Sequence, residues 1–89
     1  MAIYDDNFSV VFTGLLTRFS VTCYEIGEYT GLDQAYLSRL QSGERTNPSS
    51  ETIMKIGLAL AHFSEKITLH DLESLFRSVG HSLFRDRQV

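Results

Sequence analysis

The stretch TCYEIGEYTGLDQAYLSRLQSGERTNP, residues 22–48, decides the fold. Thr22 and Glu25 have the spacing of a capping box, in which each side chain accepts a hydrogen bond from the other residue's backbone N–H. Gly31 is suited to ending the helix that this box begins, because glycine adopts the left-handed conformation without a steric penalty. The stretch therefore begins with a predicted helix over 23–30.

A second helix follows at once in the same stretch. Asp33 is a good N-cap, and Gly43 provides the next stop signal. Between them, Leu37 and Leu40 have the spacing of an inward-facing pair. The pattern predicts a helix over 34–42, joined to the preceding helix by a tight turn.

The rest of the chain has the same organisation of apolar stripes and caps. The periodicity predicts three further helices, at about 6–19, 50–62 and 69–79. Asp5 or Asp6 would cap the first of these, and Gly80 would stop the last. No useful strand alternation occurs, and 89 residues suit one domain with a modest core. The prediction is a single all-α domain over 1–89, a compact five-helix bundle.

Composition excludes several classes of function. The single cysteine, Cys23, leaves no disulfide framework or cysteine-rich zinc site. The three histidines have no Cys or paired carboxylate at ligand spacing, and no glycine-rich phosphate loop is present. The first residues lack a signal-peptide pattern, and no apolar run approaches the roughly 18 residues of a membrane span. We expect a cytoplasmic protein without membrane contact, metal, cofactor or catalytic activity.

From Ile26 to Leu60 the chain resembles the Cro and phage-repressor (Xre) type of DNA-binding domain. The matching residues are Leu37-Ser38-Arg39-Leu40, Gly43, Arg45 and Pro48-Ser49. The resemblance spans about residues 8–76 and implies a lambda-repressor-like bundle with a helix-turn-helix at about 23–42. It also implies a transcriptional regulator that binds a double-stranded DNA operator as a homodimer.

The resemblance assigns roles to individual residues. Base-reading side chains on the third helix would be Gln34, Ala35, Ser38 and Arg39. Backbone contacts are assigned to Thr22, Cys23, Tyr36, Ser42, Arg45 and Asn47. Glutamine is able to pair with adenine and arginine with guanine. Tyr36 has an alternative, which is to pack on the first helix. Three positions depart from the family pattern: Cys23 replaces a glutamine, Gln41 replaces a glutamate and Gly27 replaces an alanine.

Charge weakens the DNA-binding hypothesis for a single copy of the chain. The net charge is −3 overall. Residues 22–50 carry two bases, Arg39 and Arg45, against four acids, which gives 2 − 4 = −2. DNA binding draws much of its affinity from cations on phosphates. We therefore expect dimerisation to supply the missing contacts, or else a different function: a protein-interaction module of the same fold, antitoxin-like, with DNA binding secondary or absent.

The last helix and tail, 69–89, are predicted to form the dimer interface. They have more large apolar residues than one small core needs: Leu69, Leu72, Leu75, Phe76, Val79, Leu83 and Phe84. An isologous two-fold contact would cover them. The alternative is that this helix merely closes the bundle.

Overall fold

The computed structural model describes residues 7–79, which form five α-helices. The helices are α1 Phe8–Phe19, α2 Cys23–Thr30, α3 Gln34–Ser42, α4 Ser50–Phe63 and α5 Leu69–Arg77. Residues 7–79 contain no strand. The all-α prediction is confirmed for this part of the chain, and the bounds predicted for α2 and α3 are those observed.

Every helix begins at a residue whose side chain accepts a backbone N–H of the first turn. These residues are Asn7, Thr22, Asp33, Ser49 and Thr68. At α2 and α5 the bond is reciprocated by Glu25 and Asp71, so the predicted capping box is present at α2 and a second one occurs at α5. Such caps stabilise a helix by about 1 kcal/mol each, because they satisfy donors that have no partner within the helix.

Two predicted helix ends were wrong by two residues, and α4 ends at Phe63, one residue beyond the predicted 62. The N-cap of α1 is Asn7, whose Oδ1 accepts the Val10 N–H at 3.0 Å, so the helix starts at Phe8 rather than at 6. Asp5 and Asp6, predicted as caps, lie outside the described residues. At the other end α5 stops at Arg77, two residues early; the Val79 N–H donates to the Phe76 carbonyl at 3.2 Å, an i→i−3 bond that tightens the end of the helix. Gly80, the predicted stop, also lies outside the described residues.

One apolar core joins all five helices. The buried residues are Phe8, Phe12, Leu15, Leu16, Val21, Ile26, Leu37, Leu40, Ile53, Ile56, Ala59, Leu60, Leu75 and Phe76. Helix α1 packs on α3 and α5, while α4 packs on α2 and α5. Gly57 allows α4 and α5 to approach each other closely, because a Cβ there would lie 2.8 Å from Leu72 Cδ2.

The burial of α5 corrects part of the predicted dimer interface. Leu75 is 0% exposed and Phe76 is 6% exposed within a single chain. Both side chains are already used in the core, so these two of the seven predicted interface residues are not accessible in a single chain. Leu69 is 61% exposed, and Leu72 and Val79 are half-buried. Leu83 and Phe84 lie outside the described residues.

An ion pair ties α5 to α1. The guanidinium of Arg18 donates to Asp71 Oδ1, and the backbone N–H of Thr68 donates to Asp71 Oδ2 at 2.9 Å. Burial by itself would raise the pKa of Asp71, but the hydrogen bonds from Arg18 and Thr68 and the charge of Arg18 outweigh it, so the pKa is lowered. The carboxylate therefore joins the two helices in its charged form.

Candidate nucleic-acid interface

The turn between α2 and α3 fixes how the two helices meet. Gly31 closes α2 with φ of 82°, and its N–H donates to the Gly27 carbonyl at 2.8 Å. An L side chain is strained at that φ, which explains glycine at this point. The hydroxyl of Thr30 accepts the Leu32 N–H at 3.0 Å, and Asp33 then caps α3. Three residues thus redirect the chain with its backbone groups satisfied.

Helix α3 has one buried side and one outward side. Leu37 and Leu40 are both 0% exposed and fix the helix against the core. Ala35 and Ser38 are exposed, and Arg39 is half-buried. These are three of the four predicted base-reading residues, and they share a helix that packs on α1 and α2.

The fourth predicted base-reading residue, Gln34, lies against α2. Its Nε2 donates to the Tyr24 carbonyl oxygen at 3.1 Å. The same nitrogen occupies the space above Gly27, where a Cβ would fall 2.0 Å from it. The residue as a whole is still exposed. The contact is not predictable from the sequence pattern, because it joins residues of two different helices.

Arg39 and Arg45 are the two cations of this region, and neither forms an ion pair with a carboxylate within residues 7–79. The guanidinium of Arg45 lies over the Tyr36 ring, with Cζ 5.6 Å from its centroid, which is cation–π distance. The Arg45 N–H also donates to the Arg39 carbonyl at 3.1 Å. This backbone hydrogen bond holds the loop after α3 against the last turn of that helix, so Arg39 and Arg45 lie near the same end of α3.

Tyr36 is half-buried and packs against the core cluster. Within one chain, its side chain therefore has a packing role on the core cluster. Its ring also makes the cation–π contact with the guanidinium of Arg45. The contact to a DNA backbone stays a prediction for this residue.

The hydroxyls predicted to meet phosphates form hydrogen bonds at helix ends, Thr22 as the N-cap of α2 and Ser42 in the last turn of α3. The Glu25 N–H donates to Thr22 Oγ1 at 3.1 Å, and Ser42 Oγ donates to the Arg39 carbonyl at 3.2 Å. Both residues are exposed, so a hydroxyl oxygen can still meet a further partner. Asn47 is exposed too and lines a depression of about 330 Å³ beside Asn7 and Ser78.

Cys23 is directed into the contact between α2 and α3. Its thiol donates to Gln41 Oε1 at 3.0 Å, and the residue is half-buried. Burial raises the pKa of the Cys23 thiol, so the neutral form is favoured. The side chain therefore connects two helices of the same chain, and its predicted contact with a DNA backbone has no support from this geometry.

Two of the four acids in this region are used at helix starts. Glu25 Oε1 accepts the Thr22 N–H at 2.9 Å, and Asp33 Oδ2 accepts the Tyr36 N–H at 3.0 Å. Negative charge is favourable there because helix N-termini carry partial positive charge. Glu28 and Glu44 are exposed and are not used as caps. The unfavourable charge balance thus rests mainly on these two residues.

A second surface, which sequence reasoning missed, lies on the outer side of α4. It comprises Tyr29, Met54, Leu58, His62 and Phe63, which we call the α4 patch. Tyr29 stacks on His62 with 4.4 Å between ring centroids, and Phe63 meets both rings edge-on. Met54 and Leu58 are 42% and 57% exposed. Met54, Leu58 and His62 have i, i+4, i+8 spacing, which places them on the side of α4 opposite its buried residues. This spacing is the feature of the sequence from which the patch could have been predicted.

Residues 7–79 contain no cluster of His, Cys, Asp or Glu placed to hold a metal ion. Within the same range no helix has the length and apolar character needed to cross a membrane. Comparison with known proteins identifies no relative, since no family model, curated protein or solved structure matches the chain. The geometry of α2 and α3 is therefore the basis for inferring function.

Proposed function

We propose that this protein is a sequence-specific DNA-binding transcriptional regulator of the helix-turn-helix class that acts as a dimer on operator DNA. The observation that carries the proposal is the two-sidedness of α3. Leu37 and Leu40 are fully buried, while Ala35 and Ser38 are exposed on the same short helix. A helix held in this way after a tight turn suits the major groove, which is wide enough to admit it. The function needs no cofactor and no catalysis.

Electrostatics support the same surface in part. Arg39 and Arg45 have no carboxylate partner within residues 7–79, so no ion pair there must break before they meet phosphate or guanine. Glu25 and Asp33 are engaged at helix N-termini. Glu28 and Glu44 remain as repulsive charges. Two available cations give a monomer weak affinity at physiological salt, because affinity rises steeply with the number of phosphates neutralised.

Dimerisation is therefore part of the proposal. Two copies double the phosphate contacts and align two copies of α3 on successive turns of DNA. The surface we propose for the contact is the accessible side of α5, with Leu69 and Leu72, together with Val79 just after the helix. Leu75 and Phe76 are excluded from it because they are buried in the core.

The test is selection of bound sites from random double-stranded DNA at low and at physiological salt. The wild-type protein should enrich a palindrome, and Arg39→Ala should relax one position of each half-site at a cost of about 1–3 kcal/mol. Arg45→Ala should weaken binding to all sequences and make its salt dependence shallower by about one unit per protomer.

A matched control removes a cation elsewhere. Lys66→Ala deletes the same charge between α4 and α5, whose principal helix contacts are with α1, α2 and each other rather than with α3. It should leave both the site and the salt dependence close to wild type. Failure of the wild-type protein to enrich any site at low salt would refute the proposal.

The α4 patch favours a second candidate function, a protein-interaction module of the same fold. The patch has five side chains, of which two are aromatic and one is a histidine stacked on an aromatic ring. An exposed patch of this kind is unusual on so small a domain and is typical of protein–protein contact surfaces. Such a module would tolerate the acidic residues beside α3. It is supported if no DNA site is enriched, and if Leu58→Glu abolishes a protein association that Arg39→Ala leaves intact.

A further inference from the structure

Gly27 has an unusual environment for a residue in the middle of a helix. It is buried in α2, and a Cβ placed on it would lie 2.0 Å from Gln34 Nε2 and 2.8 Å from Gln34 Cδ. Both distances are far below van der Waals contact. The absence of a side chain at Gly27 therefore creates the space that the Gln34 amide occupies, and alanine would expel it.

The amide is held in that space in one orientation. Its nitrogen donates to the Tyr24 carbonyl oxygen at 3.1 Å. Nε2 and Cδ are the amide atoms closest to the Gly27 position, and the third nearest atom is the Leu32 carbonyl oxygen rather than Gln34 Oε1. The nitrogen end thus faces α2 while the oxygen lies farther from it. We call this arrangement of Gly27, Tyr24 O and the Gln34 amide the glutamine seat.

A seated amide still has the groups that recognise adenine. A side-chain amide has two N–H donors and one oxygen acceptor. One donor is used by Tyr24, which leaves the oxygen and the second N–H. Those are the two groups that glutamine presents to adenine N6 and N7. Holding the side chain in place beforehand also reduces the rotamer entropy lost on binding.

We propose that Gly27 is a specificity-determining positioning residue: by seating the Gln34 amide at the start of α3, it directs that amide to one adenine in each half-site, without touching DNA itself. This inference rests on the proposed function. It differs from a merely structural role for Gly27, because a structural glycine would affect binding to all sequences alike.

The decisive experiment compares Gly27→Ala with Gln34→Ala in the same site selection. Both variants should lose the preference for adenine at one and the same position, on the order of tenfold to a hundredfold, and keep the other positions. In a Gln34→Ala background, Gly27→Ala should cause no further change in the site. Gly14→Ala is the matched control, because it makes the same substitution on a helix where nothing lies within 4 Å of the new Cβ.

Three outcomes separate the two proposals. If wild type enriches a site and Gly27→Ala weakens every position equally, or changes none, the glutamine seat has no role in specificity. If wild type enriches no site at all, the proposed function fails and this inference fails with it. If the two variants relax different positions, Gly27 acts through a residue other than Gln34, and the inference is overturned.

A measurement on the free protein covers the case in which Gly27→Ala does not fold. NMR relaxation of the side-chain amide nitrogen of Gln34 in the wild-type protein should show restricted motion, like that of the backbone of α2. If the Gln34 amide is as mobile as that of an ordinary exposed glutamine, it is not held in the glutamine seat, and the inference is refuted independently of the Gly27→Ala result. In folded Gly27→Ala the same amide should become mobile.

Discussion

Replacing Asp71 with alanine should destabilise the protein by about 2 kcal/mol, the sum of two effects. The first is loss of the reciprocal half of the α5 capping box, where Asp71 Oδ2 accepts the Thr68 N–H at 2.9 Å; caps are worth about 1 kcal/mol. The second is loss of the ion pair with Arg18, whose side chain is 58% exposed against 8% for Asp71. Solvent screens such a pair, so it contributes about 1 kcal/mol or less.

Three further variants separate the contribution of the capping box from that of the ion pair. Asp71→Asn keeps an oxygen acceptor for Thr68 but removes the charge, so it should cost about half as much as alanine. Arg18→Ala removes the pair and also the contact of the guanidinium with the Phe19 ring, whose centroid is 4.8 Å from Arg18 Cζ, and should cost about 1 kcal/mol. Glu51→Ala is the matched control, because its contact with Lys55 at 3.7 Å is exposed on both sides and should contribute at most about 0.5 kcal/mol.

The effect should depend on pH in one direction. The pKa of Asp71 is lowered in the folded protein, so its contribution to stability is complete above the unfolded-state pKa of about 4. It is lost as the pH falls through the lower folded-state pKa. The difference in unfolding free energy between wild type and Asp71→Asn should therefore be constant near neutral pH and shrink below about pH 4.

Urea unfolding followed by far-UV circular dichroism measures these differences, and thermal unfolding checks them. For a domain of this size, 2 kcal/mol corresponds to a decrease in melting temperature of roughly 8–16 °C. A decrease in stability below about 0.5 kcal/mol for Asp71→Ala at neutral pH would refute the reasoning. So would a difference between wild type and Asp71→Asn that grows on acidification.

Other positions give independent expectations. Gly14→Ala should stabilise the protein by up to about 1 kcal/mol, whereas Gly43→Ala should destabilise it by about as much, because Gly43 has φ of 90°; urea unfolding compares them. Alkylation of Cys23 at neutral pH should be slower than that of an unfolded peptide thiol, since burial raises its pKa; equal rates would contradict this. Sedimentation should give a dimer that Leu69→Glu dissociates and Leu58→Glu preserves; the reverse result would move the interface to the α4 patch.

Local signals accounted for most of the helix bounds. A capping box involves residues three apart, and a glycine stop depends on one φ angle, so both are visible in the sequence at Thr22, Gly31 and Thr68. The miss at α1 has a local cause as well. Several polar residues there are able to cap, and Asn7 does so directly before Phe8, whose side chain is buried in the core.

The candidate site was predicted less completely than the fold. Exposure of Ala35 and Ser38 follows from the position of the buried leucines on α3, so periodicity was sufficient for them. The positions of Gln34 and Cys23 were not predictable in this way. Each side chain contacts a residue on the neighbouring helix, 10 positions away for Gln34 and 18 for Cys23.

By itself the sequence determined five helices, the turn between α2 and α3, and the side of each helix that is apolar, because caps, stops and periodicity act within a few residues. Only the tertiary structure decided how those surfaces are used. It buries Leu75 and Phe76, seats Gln34 on Gly27, and leaves Leu58 in water. The physical reason is that burial and side-chain contacts depend on which helices meet, and that choice is made by packing between segments distant in the chain.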